Sequence, residues 1–204
     1  MNHLASFLLV LLSFVTLSTG SAQVYAQAMH SQVSVLVNVS PEQAWEQLSD
    51  FSVAHYYVPN LTRTEIVSEK KSGIGAHRRV YDGDDDYIEE TIIEWSAGSG
   101  FVIKLHQGDG PMMPFERSEF SYRLIPGEVS GTEVVLRMTI EMPWGAAGEK
   151  LGEWFIVPLL DDNLVLVAAG LKHYYETGQP ASDEDRERLT GAVNIDPGST
   201  SKLQ

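Results

Sequence analysis

Residues 39–51 read Val39-Ser40-Pro41-Glu42-Gln43-Ala44-Trp45-Glu46-Gln47-Leu48-Ser49-Asp50-Phe51, and the fold turns on how this stretch behaves. The Ser40 hydroxyl is a good acceptor for an N–H left free in a first helical turn. Pro41 has no N–H to lose there, and its fixed φ suits the first helical position. A helix from residue 41 to about 51 is predicted, with Ala44, Trp45 and Leu48 on one stripe. Upstream, residues 32–39 alternate, placing Val33, Val35, Val37 and Val39 on one face of a half-buried strand. Downstream, residues 51–60 are aromatic and irregular and end by Pro59. A strand thus runs directly into a short helix.

From residue 61 to 142 the pattern is strands and turns. Residues 64–68 are short and β-prone, and Gly73-Ile74-Gly75 reads as a turn or bulge. Residues 76–82 and 87–95 form a hairpin closed by Gly83-Asp84-Asp85-Asp86, where glycine among aspartates is ordinary turn chemistry rather than a calcium loop. Residues 101–105, 116–124 and 133–142 alternate again. Phe101, Ile103, Leu105, Phe120, Tyr122, Leu124, Val134, Leu136, Met138 and Ile140 fall on one face, and Lys104, Arg137, Thr139 and Glu141 on the other.

After Pro143-Trp144-Gly145 the period changes to three and four. Leu151, Trp154, Phe155, Leu160, Leu164, Val167, Ala168, Leu171 and Tyr175 then define a long amphipathic helix, with Pro158 kinking it near Val157. Trp154, like Trp45, falls on its buried stripe. Residues 179–204 are polar and are expected to form a disordered tail. The predicted class is α+β. A curved antiparallel sheet of about seven strands wraps a long C-terminal helix, with a small helix after the first strand. One helix does not fill such a sheet, so a pocket is expected between the two.

Composition bounds the function. The chain has 204 residues, 43% of them hydrophobic and 21% charged, enough for one domain with a real core. A net charge of −14 argues against binding nucleic acid, which needs clustered Lys and Arg, and against electrostatic docking on anionic lipid. The absence of cysteine excludes disulfides, thiolate metal sites and a Cys nucleophile. Residues 4–17 are an apolar run shorter than the ~20 residues that span a bilayer. Ala26-Gln27-Ala28 has the small-x-small pattern of a cleavage site. Residues 1–28 therefore read as a signal peptide, although Met1-Asn2-His3 lacks the usual Lys or Arg; an uncleaved anchor is the alternative. The domain is then 29–178, located in a periplasm or outside the cell, with no stable membrane insertion after processing.

Four motifs in order carry a resemblance. Residues 39–51, Gly73-x-Gly75-x-x-Arg78, Ile88-x-Glu90-x-Ile92-x-Glu94-Trp95 and Leu171-Lys172-x-Tyr174-Tyr175-Glu176 resemble the START-related SRPBCC superfamily, in its polyketide cyclase/dehydrase-like branch. The resemblance spans nearly all of residues 32–177. It implies a helix-grip fold and a hydrophobic cavity. Members bind lipids, sterols or aromatic compounds, and some cyclise or hydrolyse, so the fold alone does not name a reaction.

The candidate ligand-binding residues are Arg78, Glu90, Ile92, Phe101, Ile103, Phe120, Tyr122, Leu136 and Met138. Arg78 and Glu90 have matching parity on neighbouring strands. Facing inward they orient a ligand's polar end; facing outward they are a rim pair of little consequence. His55, His77, His106 and His173 lack a metal-ligand spacing, and His106 reads as a surface residue. Met112, Met113 and Phe115 form an apolar loop that either caps the pocket or packs beneath itself. No phosphate loop, nucleophile elbow or dinucleotide motif is present, so no metal or cofactor is expected, and no catalytic residue is assigned. Three functions fit: a carrier of an apolar small molecule, a cyclase, dehydratase or hydrolase using the same cavity, and an accessory factor for another exported protein. The oligomeric state is left open.

Overall fold

The computed structural model describes residues 28–196 apart from Asp84. The expected signal peptide, save Ala28, and the last eight residues lie outside the described residues. The first strand, β1 (Met29–Val37), buries Met29, Ser31, Val33, Val35 and Val37 in strict alternation. It passes through Ser40 into α1 (Pro41–Leu48). Ser40 accepts from the Gln43 N–H while the Gln43 side chain accepts from the Ser40 N–H, so two otherwise free donors of this turn are satisfied at once. Ala44 and Leu48 are buried beneath α1, and Trp45 packs edge-on against Trp95, with ring centroids 4.9 Å apart.

The remaining strands are β2 (Leu61–Ile66), β3 (His77–Asp82), β4 (Asp86–Ser96), β5 (Gly100–Gln107), β6 (Gly110–Pro111), β7 (Arg117–Pro126), β8 (Thr132–Glu141) and β9 (Val193–Ile195). All the pairings are antiparallel, in the order β2-β3-β4-β5-β7-β8-β1-β9, with β6 on β5. The seven expected strands are β1–β5, β7 and β8; the structure adds the two-residue β6 and the three-residue β9, both too short to leave a periodic signal. A bulge between Ile92 and Glu94 accentuates the bend of β4.

The closing element departs from a simple kinked helix. It comprises α2 (Gly145–Leu151), a π-helical turn (Gly152–Ile156) and α3 (Val157–Thr177). Pro158 sits in the first turn of α3, where its missing N–H costs little. The widened turn before it takes up the change that was expected as a kink. Leu164, Val167, Ala168, Leu171 and Tyr175 are buried against the sheet. Buried Ser31 on β1 donates a hydrogen bond to Asp161 of α3, fixing helix to strand. Trp154, expected on the buried stripe, is 73% exposed, and Leu151 and Phe155 are exposed with it. The extra residue in the π turn rotates this part of the helix away from the register that continues through Leu164.

The expectation of a disordered tail fails for residues 179–196. They form α4 (Asp183–Leu189) and β9, and β9 pairs with β1 as Val33↔Ile195 and Val35↔Val193. Ser182 and Asp185 cap α4 reciprocally. Arg186, buried, donates to the carbonyls of Tyr57 and Val58 at 3.4 Å and pairs with Asp183 at 2.9 Å. α4 is therefore anchored by a buried guanidinium rather than by apolar surface. Beneath it, Gly170 lets α3 approach closely: a Cβ there would lie 2.3 Å from the Tyr57 carbonyl oxygen.

Candidate functional site

The inner face of the sheet builds the site. On β3 and β4, Arg78 lies opposite Glu90 in the cross-strand register, and both point inward. Arg78 is 1% exposed and Glu90 8%. Arg78 Nε and Nη2 each lie 2.5 Å from Glu90 Oε2, and Nη1 donates to the Phe51 carbonyl at 2.8 Å. The guanidinium also stacks on the Phe51 ring, 3.9 Å from its centroid. Burial alone would lower the Arg78 pKa, but the adjacent carboxylate outweighs it and the pKa rises further. Arg78 stays a cation, held in the core by its partner. Among the described hydrogen bonds, none goes to Glu90 Oε1.

Beside this pair the Tyr57 and Tyr122 hydroxyls meet at 3.2 Å, deep in the core. Burial pushes both phenols up, Tyr122 well above its ordinary value. Both are protonated donors at neutral pH.

Between α3 and the sheet lies a cavity of about 200 Å³. Ile103, Phe120, Tyr122 and Met138 from the sheet and Leu160, Leu164 and Val167 from the helix form most of its wall, with Glu90 and Asn163 as its polar members. Five of the nine expected residues, Glu90, Ile103, Phe120, Tyr122 and Met138, therefore reach the cavity. The other four do not. Arg78, Ile92, Phe101 and Leu136 are packed in the core around it, Arg78 behind Glu90 and Phe101 against the rings of Phe51 and Trp95. The residues on α3, and Val58, Leu61, Val80, Ile88 and Leu105 on the opposite rim, were not singled out from sequence. For the α3 residues the signal was the helical stripe, and for Leu105 the strand alternation; both are read as core and do not tell a wall from a filling.

The cavity is smaller than the ~300–1,000 Å³ of sites for drug-sized ligands. It suits a compact ligand or the buried end of a longer one. A larger groove of about 270 Å³ on the opposite face of the sheet includes Gln32, Glu94, Arg123 and Arg137. Its lining mixes these polar groups with apolar ones such as Val102 and Val135.

Other candidates fall elsewhere. Phe115 is buried, Met112 half-buried and Met113 exposed; none of the three is part of the cavity wall. His106, expected at the surface, is largely covered on the outer face of the sheet. It bonds Thr91 Oγ1 and the Gly108 carbonyl, both at 2.8 Å. Its ring lies 5.3 Å from that of His77, with Glu89 between Arg79 and both imidazoles. Among the described residues no group of three His, Asp or Glu is placed to hold a metal.

Comparisons with known proteins bear on this geometry. A family model described as polyketide cyclase/dehydrase and lipid transport matches residues 28–173. No curated protein matches the sequence. Among solved structures, Ara h 8.0201 is similar at 14% identity and a TM-score of 0.55, covering 72% of this chain and 97% of its own. A protein of unknown function from Staphylococcus aureus is similar at 13% identity and a TM-score of 0.58, over 75% and 96%. DynU16, a protein of the dynemicin biosynthetic locus, reaches 18% identity and 0.53, over 74% of this chain and 48% of that one. At these identities the likeness establishes the helix-grip fold.

Proposed function

The chain belongs to the polyketide cyclase/dehydrase and lipid transport family, and from that premise we propose that it is an exported carrier of a compact apolar molecule. The observation that carries the reading is the cavity between α3 and the sheet, with an apolar wall and one buried carboxylate. An apolar ligand gains about 25 cal/mol for each Å² it removes from water there. Glu90 supplies orientation: Arg78 occupies its Oε2, and Oε1 can accept from a hydroxyl or amine at the ligand's deep end. Among the described residues on the wall, the titratable groups are Glu90 and Tyr122. One is tied to an arginine and the other is a phenol held protonated, an arrangement that favours holding a ligand over exchanging protons with it.

Export rests on the apolar run at residues 4–17 and on Ala26-Gln27-Ala28. Cleavage after Ala28 leaves Met29, the first residue of β1, as the new terminus, so processing removes no part of the sheet. An apolar fluorescent probe tests the carrier reading: it binds the folded protein with one-to-one stoichiometry, and Met138→Trp, which fills the cavity, abolishes binding while the fold survives. Unchanged probe binding in Met138→Trp removes the cavity from the account. N-terminal sequencing of the exported protein tests the rest: a chain beginning at Met29 supports export, and an intact Met1 in the exported fraction refutes cleavage.

A further inference from the structure

The stretch from Trp144 to Leu159 is built inside out. Trp144 and Trp154 are each 73% exposed, and Leu151, Phe155 and Leu159 are exposed with them. Leu151, Phe155 and Leu159 recur at four-residue steps and Trp154 lies three from Leu151, so they share one helical face. The face turned inward carries glycine. A Cβ on Gly152 would lie 2.3 Å from Met29 Cε, and one on Gly148 would lie 1.9 Å from the Pro143 carbonyl oxygen. Surface helices of soluble domains bury their large apolar side chains and expose their small or polar ones. Here the close approach is made by glycine, and the bulk faces out. Leu151, Trp154, Phe155 and Leu159 together expose roughly 300–500 Å², the size of a patch that marks an interaction surface.

We propose that this face docks on the surface of a neutral lipid bilayer. Its composition of tryptophan, phenylalanine and leucine is that of a segment lying at a membrane interface. The chain's net charge of −14 leaves aromatic insertion, rather than attraction to anionic headgroups, to hold it there. The same charge sets two copies of the protein against each other and disfavours a self-association through this face. The helical run Gly152–Thr177 is long and apolar enough to cross a bilayer, but Leu164 to Tyr175 belong to the core, which leaves the aromatic end to lie at the interface. Docking stands on the patch alone. That it delivers cargo rests on the carrier reading: Leu160 and Asn163, at the wall of the cavity, are one turn beyond Phe155 and Leu159.

The purified protein is mixed with phosphatidylcholine vesicles, and its tryptophan emission and flotation with lipid are followed. Binding with a blue shift, quenching by brominated lipid, and little change between 0.05 and about 0.5 M salt are expected for apolar insertion. The Trp154→Ser/Phe155→Ser variant should melt as the parent does and partition at least about tenfold more weakly. Leu36→Ser, at an exposed site on β1, should partition as the parent does. No flotation of the parent, binding abolished by salt, or equal flotation of the double variant overturns the proposal. So does a dimer in sedimentation that the double variant dissolves, since a second copy is then the occupant. If the double variant does not fold, brominated-lipid quenching of the parent decides.

Discussion

Replacing Arg78 by methionine removes the guanidinium that neutralises Glu90 and keeps much of its hydrocarbon volume. The effect follows from the burial: 2% exposure for the Arg78 side chain and 11% for that of Glu90. The variant leaves a largely buried carboxylate without its counter-ion, and frees the Phe51 carbonyl and ring that Arg78 covers. Breaking a buried pair from one side costs about 3–5 kcal/mol, a large share of the ~5–15 kcal/mol that holds a domain together. The Arg78→Met/Glu90→Leu double variant removes both charges. It should recover most of the loss, because a buried pair and an apolar pair of similar volume differ little or favour the apolar one. Urea unfolding followed by tryptophan emission measures this, with the slope checked for constancy so that a midpoint shift is a stability change. A loss under about 1 kcal/mol for Arg78→Met, or a double variant as unstable as the two single changes added together, would refute a dry, coupled pair.

The anchoring of α4 by Arg186 makes Arg186→Ala cost about 1–3 kcal/mol, since buried carbonyl partners and packing are lost together; an unchanged urea midpoint would mean that the Arg186 contacts do not contribute to stability. Gly170→Ala should destabilise by about 1–3 kcal/mol although alanine is the better helix former, because its Cβ meets the Tyr57 carbonyl; a more stable variant in thermal melting contradicts the close approach. His77 has a lowered pKa, chiefly from burial. Its neutral form is favoured in the fold, so its contribution is complete above about pH 6.5 and is lost as pH falls through the lowered folded value. Between pH 7 and 5 the parent should therefore lose more stability by calorimetry than His77→Gln, and equal losses would show that His77 titrates as it does in the unfolded chain.

Much of the fold was legible because local chemistry and global pattern agree in it. Ser40-Pro41 with Gln43 spells a helix start, and the two-residue alternation of β7 and β8 put Tyr122 and Leu136 on the inner face, where they now lie opposite each other. The inward Arg78–Glu90 pair was legible as an alternative, settled only by the register of β3 on β4. Trp154 was misplaced because a π turn leaves no sequence mark and shifts everything before it. The tail was misplaced because its anchors are a three-residue strand pairing with β1 and one arginine whose partners are backbone carbonyls more than a hundred residues away. Composition does not record such partners. At the site, the sheet wall was readable from alternation, but Leu160, Asn163 and Leu164 face a cavity only because the sheet curves away from α3, which is a property of the assembled layers.

The central claim is that the cavity holds a compact apolar molecule, and native mass spectrometry of the protein purified from its export compartment tests it most directly. The account predicts a second species heavier than the processed chain by the mass of one small organic ligand. It also predicts that this species is released on denaturation, extractable into organic solvent, and missing from the Met138→Trp variant. An identical extra mass retained by Met138→Trp would contradict it, as would a parent protein that is ligand-free and also fails to take up any of a panel of compact apolar hydroxyl compounds.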